Sequence, residues 1–207
     1  MSGKYIFVFL GLLLIITGCT NGGGDMVGSI NGEKDYSVMM ADAWDLYYNK
    51  HYTQAAVNFN EVQRLSPGSD HRSEAFLGMG WCYLKDNDLE KAQRWFGKVD
   101  KSSQELHIGL CSMYLAQGTQ AGFENALNSL RSAGFQDTTD MYIKRYPVGI
   151  TQGYCQALAA IVYYFNGKDY KASQFLKAVK NNDEVQFDYK LQRIYESMIS
   201  DLKVNEL

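Results

Sequence analysis

Side chains that could do chemistry are few in this 207-residue chain, and they do not converge. There are three histidines, His51, His71 and His107. His51 falls at a turn between two helical segments, His71 in a connection, and His107 at a packing position. The four cysteines are Cys19, Cys82, Cys111 and Cys155, and the last three each sit inside an apolar helical pattern. No HExxH, CxxC or G-x-S-x-G spacing occurs. Gly22, Gly23 and Gly24 precede no Lys-Ser/Thr pair and follow no strand, so they do not form a phosphate loop. Acidic residues are spread over solvent-facing helix positions. Catalysis needs a nucleophile, a base and an electrophile held within reach of one another. No such set can be assembled, so the chain reads as non-enzymatic, with no cofactor and no metal.

Bulk composition agrees with a helical scaffold. Hydrophobic residues make up 46% of the chain and only 2 residues are proline, which suits helices. The net charge of −3, with no basic run, excludes a nonspecific nucleic-acid binder. The length fits one domain of moderate size preceded by a leader.

The leader is residues 1–18. Lys4 supplies a basic start and Tyr5 to Ile16 is nearly all apolar. This run is shorter than the roughly 20 residues a membrane span requires and has the length of a secretory h-region. It ends in Ile16-Thr17-Gly18-Cys19, which resembles the lipobox of bacterial lipoproteins. The resemblance implies cleavage before Cys19, thioether attachment of a diacylglycerol and acylation of the new N-terminus. More than one acyl chain is what stable anchoring takes. Thr20 follows, with no Asp there. In a Gram-negative cell that pattern implies an outer-membrane lipoprotein facing the periplasm; in a single-membrane cell it implies the outer face of the plasma membrane. Residues 19–35 are rich in Gly and short polar residues and read as a flexible tether.

From residue 36 to 207 the chain repeats. In Ser73 to Val99, Phe76, Met79, Gly80 and Tyr83 share one helical face, Asn87-Asp88 makes a turn with Asp88 as helix cap, and Ala92 and Phe96 face back. An aromatic, then L-G, then Y, then A-x3-F is the tetratricopeptide (TPR) pattern, and the chain resembles TPR lipoproteins of the bacterial envelope. Repeats are placed near 36–69, 73–103, 104–135 and 153–181. The first carries Met39, Ala43, Leu46, Ala55, Phe59 and Pro67, and Asp70 to Arg72 separate it from the second. The third carries His107, Leu110, Cys111, Tyr114, Ala126, Leu130 and Ala133, with an enlarged turn over Gln117 to Gly122. Gly134 to Pro147 is a long irregular connection with one helical turn near Met141. The fourth repeat has Ala159, Ala160, Tyr163, Ala172, Leu176 and Val179. A capping helix over 185–203 carries the stripe Phe187, Leu191, Ile194, Met198 and Leu202. The resemblance implies an all-α fold, a right-handed TPR-type solenoid of about four helical hairpins with a C-terminal capping helix.

It also implies a concave surface lined by fixed positions of each first helix. These are Met40, Trp44, Tyr47 and Tyr48, then Leu77, Trp81, Leu84 and Lys85. Ile108, Ser112, Leu115, Ile161, Tyr164 and Phe165 continue the series. Trp44 and Trp81 hold the same place in successive repeats and would form an aromatic ledge for a peptide or partner helix. The competing reading is that so short an array fills its groove, with the last helices or the tether covering these rings. Cys111 takes the close-approach place of Ala43, Gly80 and Ala160. We therefore read Cys82, Cys111 and Cys155 as packing residues, although a Cys82–Cys111 bridge is geometrically open.

The function expected is a membrane-anchored, non-enzymatic adaptor that binds an envelope protein partner through its concave groove, as scaffold in an assembly or secretion process. The alternative is a small-molecule or glycan-binding lipoprotein that uses Trp44 and Trp81 as stacking platforms. Replacing Cys19 by Ala is expected to shift the protein from the membrane fraction to the soluble fraction; unchanged fractionation would contradict the lipid anchor.

Overall fold

The structure is a computed structural model that describes residues 36–66, 68–179 and 189–202, all within one compact unit, Lys34–Leu207. Among the described residues the chain is all-α, with helices and no strand. In order these are α1 (Tyr36–Tyr48), α2 (Tyr52–Leu65), α3 (Ser69–Lys85), α4 (Leu89–Phe96), α5 (Gln104–Gln117), α6 (Gln120–Ser132), α7 (Gln152–Phe165), α8 (Asp169–Val179) and α9 (Tyr189–Asp201). Cys19, the leader, the tether, Pro67 and Phe187 lie outside the described residues.

Four helix pairs are closed by one kind of turn. Lys50, Asn87, Gly118 and Gly167 each take a left-handed φ, between 60° and 66°, just past the first helix of a pair. The next amide then reaches back to a carbonyl of the last turn in three of the four: His51 to Leu46, Asp88 to Tyr83 and Lys168 to Tyr163, each at 2.9 Å. Such back-bonds satisfy carbonyls that a helix end leaves without a partner. The new helix is capped in α4 by the Asp88 carboxylate, as expected, and in α6 by the Thr119 hydroxyl.

What holds the pairs together is a set of phenylalanine rings pressed on glycines. A Cβ on Gly78 would meet the Phe59 ring, one on Gly80 would run into Phe96, and one on Gly109 would meet the Phe96 ring as well. Gly78 and Gly109 hold the same place in α3 and α5, 31 residues apart, and Phe59 and Phe96 hold the same place in α2 and α4. The second helix of one pair therefore docks on the first helix of the next through one repeated contact. Both rings are essentially buried.

Three expectations need correction. Asp70 to Arg72 are not a separator: they form the first turn of α3, after the extended Gly68. The turn after α5 is not enlarged. Helix α6 starts 6 residues after Tyr114, just as α4 starts 6 after Tyr83, and the extra residues form an additional turn at the start of α6. The turn expected near Met141 falls before it, where the Asp140 amide reaches the Asp137 carbonyl (3.2 Å), and Met141 itself lies in irregular chain. In α9, Leu191 and Met198 are buried against the core, with Ile194 and Leu202 partly so.

Substitution at Gly80 tests the close approach. Ala regains about 1 kcal/mol of helix propensity, so Gly80→Val is the cleaner probe. It is expected to cost about 1–3 kcal/mol by overpacking, read as a lowered thermal midpoint. An unchanged midpoint would refute the Phe96–Gly80 contact.

Candidate functional site: the face of α1, α3 and α5

Helices α1, α3 and α5 carry the residues assigned to partner binding, and most of them are covered. Met40, Trp44, Tyr47, Leu77, Trp81 and Leu84 are buried, Lys85 is half-buried, and Tyr48 is exposed. The two indoles are decisive: Trp44 is 4% and Trp81 1% exposed, so neither offers a free ring face. Trp44 packs its edge on Phe59 (4.8 Å between centroids, 72°), and Trp81 packs edge-on to Phe96 (6.2 Å, 82°). Ile108, Ser112, Leu115 and Ile161 are also buried, while Tyr164 and Phe165 are half-buried.

The chain's own connection between α6 and α7 lies on this face. We call residues 140–150 the strap. Tyr146, Val148 and Ile150 are buried, while Pro147 between them is half-buried and Gly149 exposed, an alternation of period two on a backbone that bends at Pro147, where the Val148 amide reaches the Tyr146 carbonyl (3.0 Å). Helix side chains bind its backbone. The Tyr48 hydroxyl donates to the Pro147 carbonyl (2.8 Å) and the Tyr47 hydroxyl to that of Val148 (3.5 Å). The Gln104 side chain accepts from the Ile143 amide (2.8 Å) and donates to the Met141 carbonyl (3.4 Å). Gln152 brackets the start, accepting from the Tyr142 amide (2.7 Å) and donating to the Asp140 carbonyl (2.8 Å).

Glu105 is the centre of this arrangement. It lies in the first turn of α5 and is fully buried. One carboxylate oxygen, Oε1, accepts from the amides of Arg145 (2.6 Å) and Tyr146 (2.9 Å) and from the Tyr142 hydroxyl (3.1 Å). The other, Oε2, accepts from the Ser103 hydroxyl (2.8 Å). Burial works against the charge. The amides of Tyr146 and Arg145, its own amide and the Ser103 hydroxyl outweigh that, and hold the carboxyl below the ordinary glutamate value. Burial and the neighbouring Glu105 carboxylate push the Tyr142 phenol up, so it stays a donor.

Elsewhere the chemistry is quiet. Cys82, Cys111 and Cys155 are free and buried, and burial pushes all three thiols up, which keeps them neutral. His107 bonds the Lys101 carbonyl at 2.9 Å, His51 precedes α2, and His71 lies in the first turn of α3 rather than in a loop. Among the described residues no group of His, Cys, Asp and Glu is placed to hold a metal, and no helix is long and apolar enough to cross a membrane.

Glu105, Gln104, Tyr142 and Gln152 were not singled out from the sequence. Two signals could have found them. Glu105 falls at the place Glu74 holds one repeat earlier, and Tyr146-x-Val148-x-Ile150 has period two in a chain otherwise of helical period. Comparison with known protein families, with curated proteins and with solved structures finds no match.

The depressed carboxyl sets a pH dependence. Glu105 stabilises the strap fully above the ordinary glutamate value of about 4.3, and this contribution is lost as pH falls through its lower folded value. Amide resonances of Arg145 and Tyr146 are expected to shift together in acid, below the ordinary glutamate value. In Glu105→Gln that titration should vanish; a wild-type shift persisting in the variant would contradict the assignment.

Proposed function

We propose that this protein is a non-enzymatic TPR-type adaptor, held at a bacterial envelope membrane through lipidated Cys19, whose concave face takes an extended segment of an envelope protein. The carrying observation is the strap. The face of α1 and α5 already binds a non-helical polypeptide segment, reading its backbone with Tyr47, Tyr48, Gln104 and Glu105 and burying alternate side chains. A surface that recognises backbone groups and alternate side chains is suited to extended peptides. The repeated phenylalanine–glycine docking and the TPR-like spacing support a solenoid of helical hairpins. A two-membrane cell would place the protein on the outer membrane facing the periplasm.

The burial of Trp44 and Trp81 removes the stacking platforms on which the glycan reading depended. It also changes the test. Truncating either indole to Ala removes core, at a cost of about 3–5 kcal/mol, and would confound binding with folding. Tyr48 is the exposed member of the face, 49% accessible, and Val57 on α2 is exposed at 64%. A photo-crosslinking side chain at position 48 in intact cells is expected to capture one extended segment of an envelope protein. The same probe at position 57 should not capture it. Equal capture from both positions, or none from position 48, would refute the groove reading.

A further inference from the structure

Trp81 carries the one anomaly of this face. Its indole Nε1 is buried and has no hydrogen-bond partner. Buried donors without partners are rare and each needs a physical reason. The repeat supplies one. Trp44 and Trp81 sit at the same place, 5 residues after Met39 and Phe76 respectively. Trp44 Nε1 donates to Glu74 Oε1 of the following pair at 2.8 Å. Glu74 and Glu105 are also at one place, 2 residues before Phe76 and His107. By the repeat, the acceptor for Trp81 is Glu105. Here Glu105 is taken by the strap, its carboxylate oxygens engaged by the Arg145 and Tyr146 amides and the Tyr142 and Ser103 hydroxyls.

We propose that the strap is a displaceable occupant of the α1–α3–α5 face, that its release lets Trp81 pair with Glu105 as Trp44 pairs with Glu74, and that the partner is a non-helical peptide presenting an aromatic residue followed at alternate positions by β-branched ones. The inference rests on the reading of this face as the partner groove. The partner chemistry is read off the resident: Tyr146, Val148 and Ile150 point into the protein while the intervening residues lie outward or at the rim. The latch has two states because one carboxylate serves two alternative donor sets. In the closed state the strap amides are satisfied and Trp81 is not. In the open state Glu105 keeps a hydrogen-bonded partner, so the strap leaves without stranding a buried charge. A tethered occupant competes at high effective concentration, so a free segment gains entry only as the strap opens.

The test uses the full chain and a synthetic peptide spanning its own residues 140–150, labelled for anisotropy. Amides of Arg145 and Tyr146 should exchange with solvent at least about tenfold faster than the slowest amides of α3 and α5, by local opening. Trp81→Phe keeps the apolar packing and removes the indole N–H. It should slow that opening about tenfold and weaken peptide binding by a similar factor, the weight of a hydrogen bond to a charged group. Glu105→Gln supplies a second variant, in which strap exchange should speed up by a similar factor. The latch is overturned if strap amides exchange only with global unfolding, or if both variants leave strap exchange unchanged. If the strap opens and responds to both variants but the peptide never binds, the latch stands and the adaptor reading of this face fails.

Discussion

A phenylalanine ring needs a flat, close surface to bury both faces in a helical array, and a glycine on the opposing helix is what provides it. Phe96 lies between Gly80 of its own pair and Gly109 of the next, so one side chain closes a hairpin and joins it to its neighbour. Phe59 makes the corresponding contact with Gly78. Removing such a ring costs about 3–5 kcal/mol, a large part of the stability of an ordinary domain. Because the same contact recurs, the spacing between α1, α3 and α5 is set by the core and not by what lies on their other side. The face those helices present is thus fixed before the strap is added.

Onto that fixed face the protein brings an element of different character. The core is apolar, with rings such as Phe96 and Phe59 meeting glycine backbone. The strap is attached largely by polar contacts, with side-chain oxygens and amides of Tyr48, Gln104, Glu105 and Gln152 satisfying its main chain. A buried backbone left without partners carries a penalty comparable to a lost hydrogen bond for each group, which is why a non-helical segment on this face needs so many donors and acceptors. Glu105 concentrates the requirement. An unpaired buried carboxylate is costly, and two consecutive amides plus two hydroxyls are what make its charge tolerable there.

The helices were legible because their information is local. Tyr83, Ala92 and Phe96 give the period, and Asn87-Asp88 gives a turn whose left-handed residue and cap both follow from side-chain chemistry. Gly80 declared a close approach because a glycine inside a helical pattern is unfavourable unless something needs the space. The third pair misled for a related reason. Three extra residues between Tyr114 and Ala126 look like loop when counted from the motif, but Gly118 and Thr119 already fix the turn and cap, so the surplus had to enter α6. Trp44 and Trp81 hold the same place in successive pairs, but neither presents a ledge. Both rings are buried against the phenylalanine of the second helix of their own pair, Phe59 and Phe96, and helical period alone does not tell that packing from exposure on a groove.

Trp81 and Trp44, alike in the sequence, differ in the fold in their hydrogen bonding. Each stands one repeat before a glutamate able to accept its indole proton. The pair Trp44–Glu74 is intact, while Glu105 is engaged by the strap and the Trp81 indole has no partner. A strictly repetitive array would treat both tryptophans equally. The asymmetry arises where the repeat is interrupted between α6 and α7, and it places a hydrogen-bonding conflict at the middle of the face rather than at its rim. A fold optimised only for stability would relieve that conflict with a phenylalanine at position 81, which fills the same apolar space and brings no donor. The indole leaves the strap-bound state short of one hydrogen bond, so the free energy holding the strap is smaller than its contacts alone would provide.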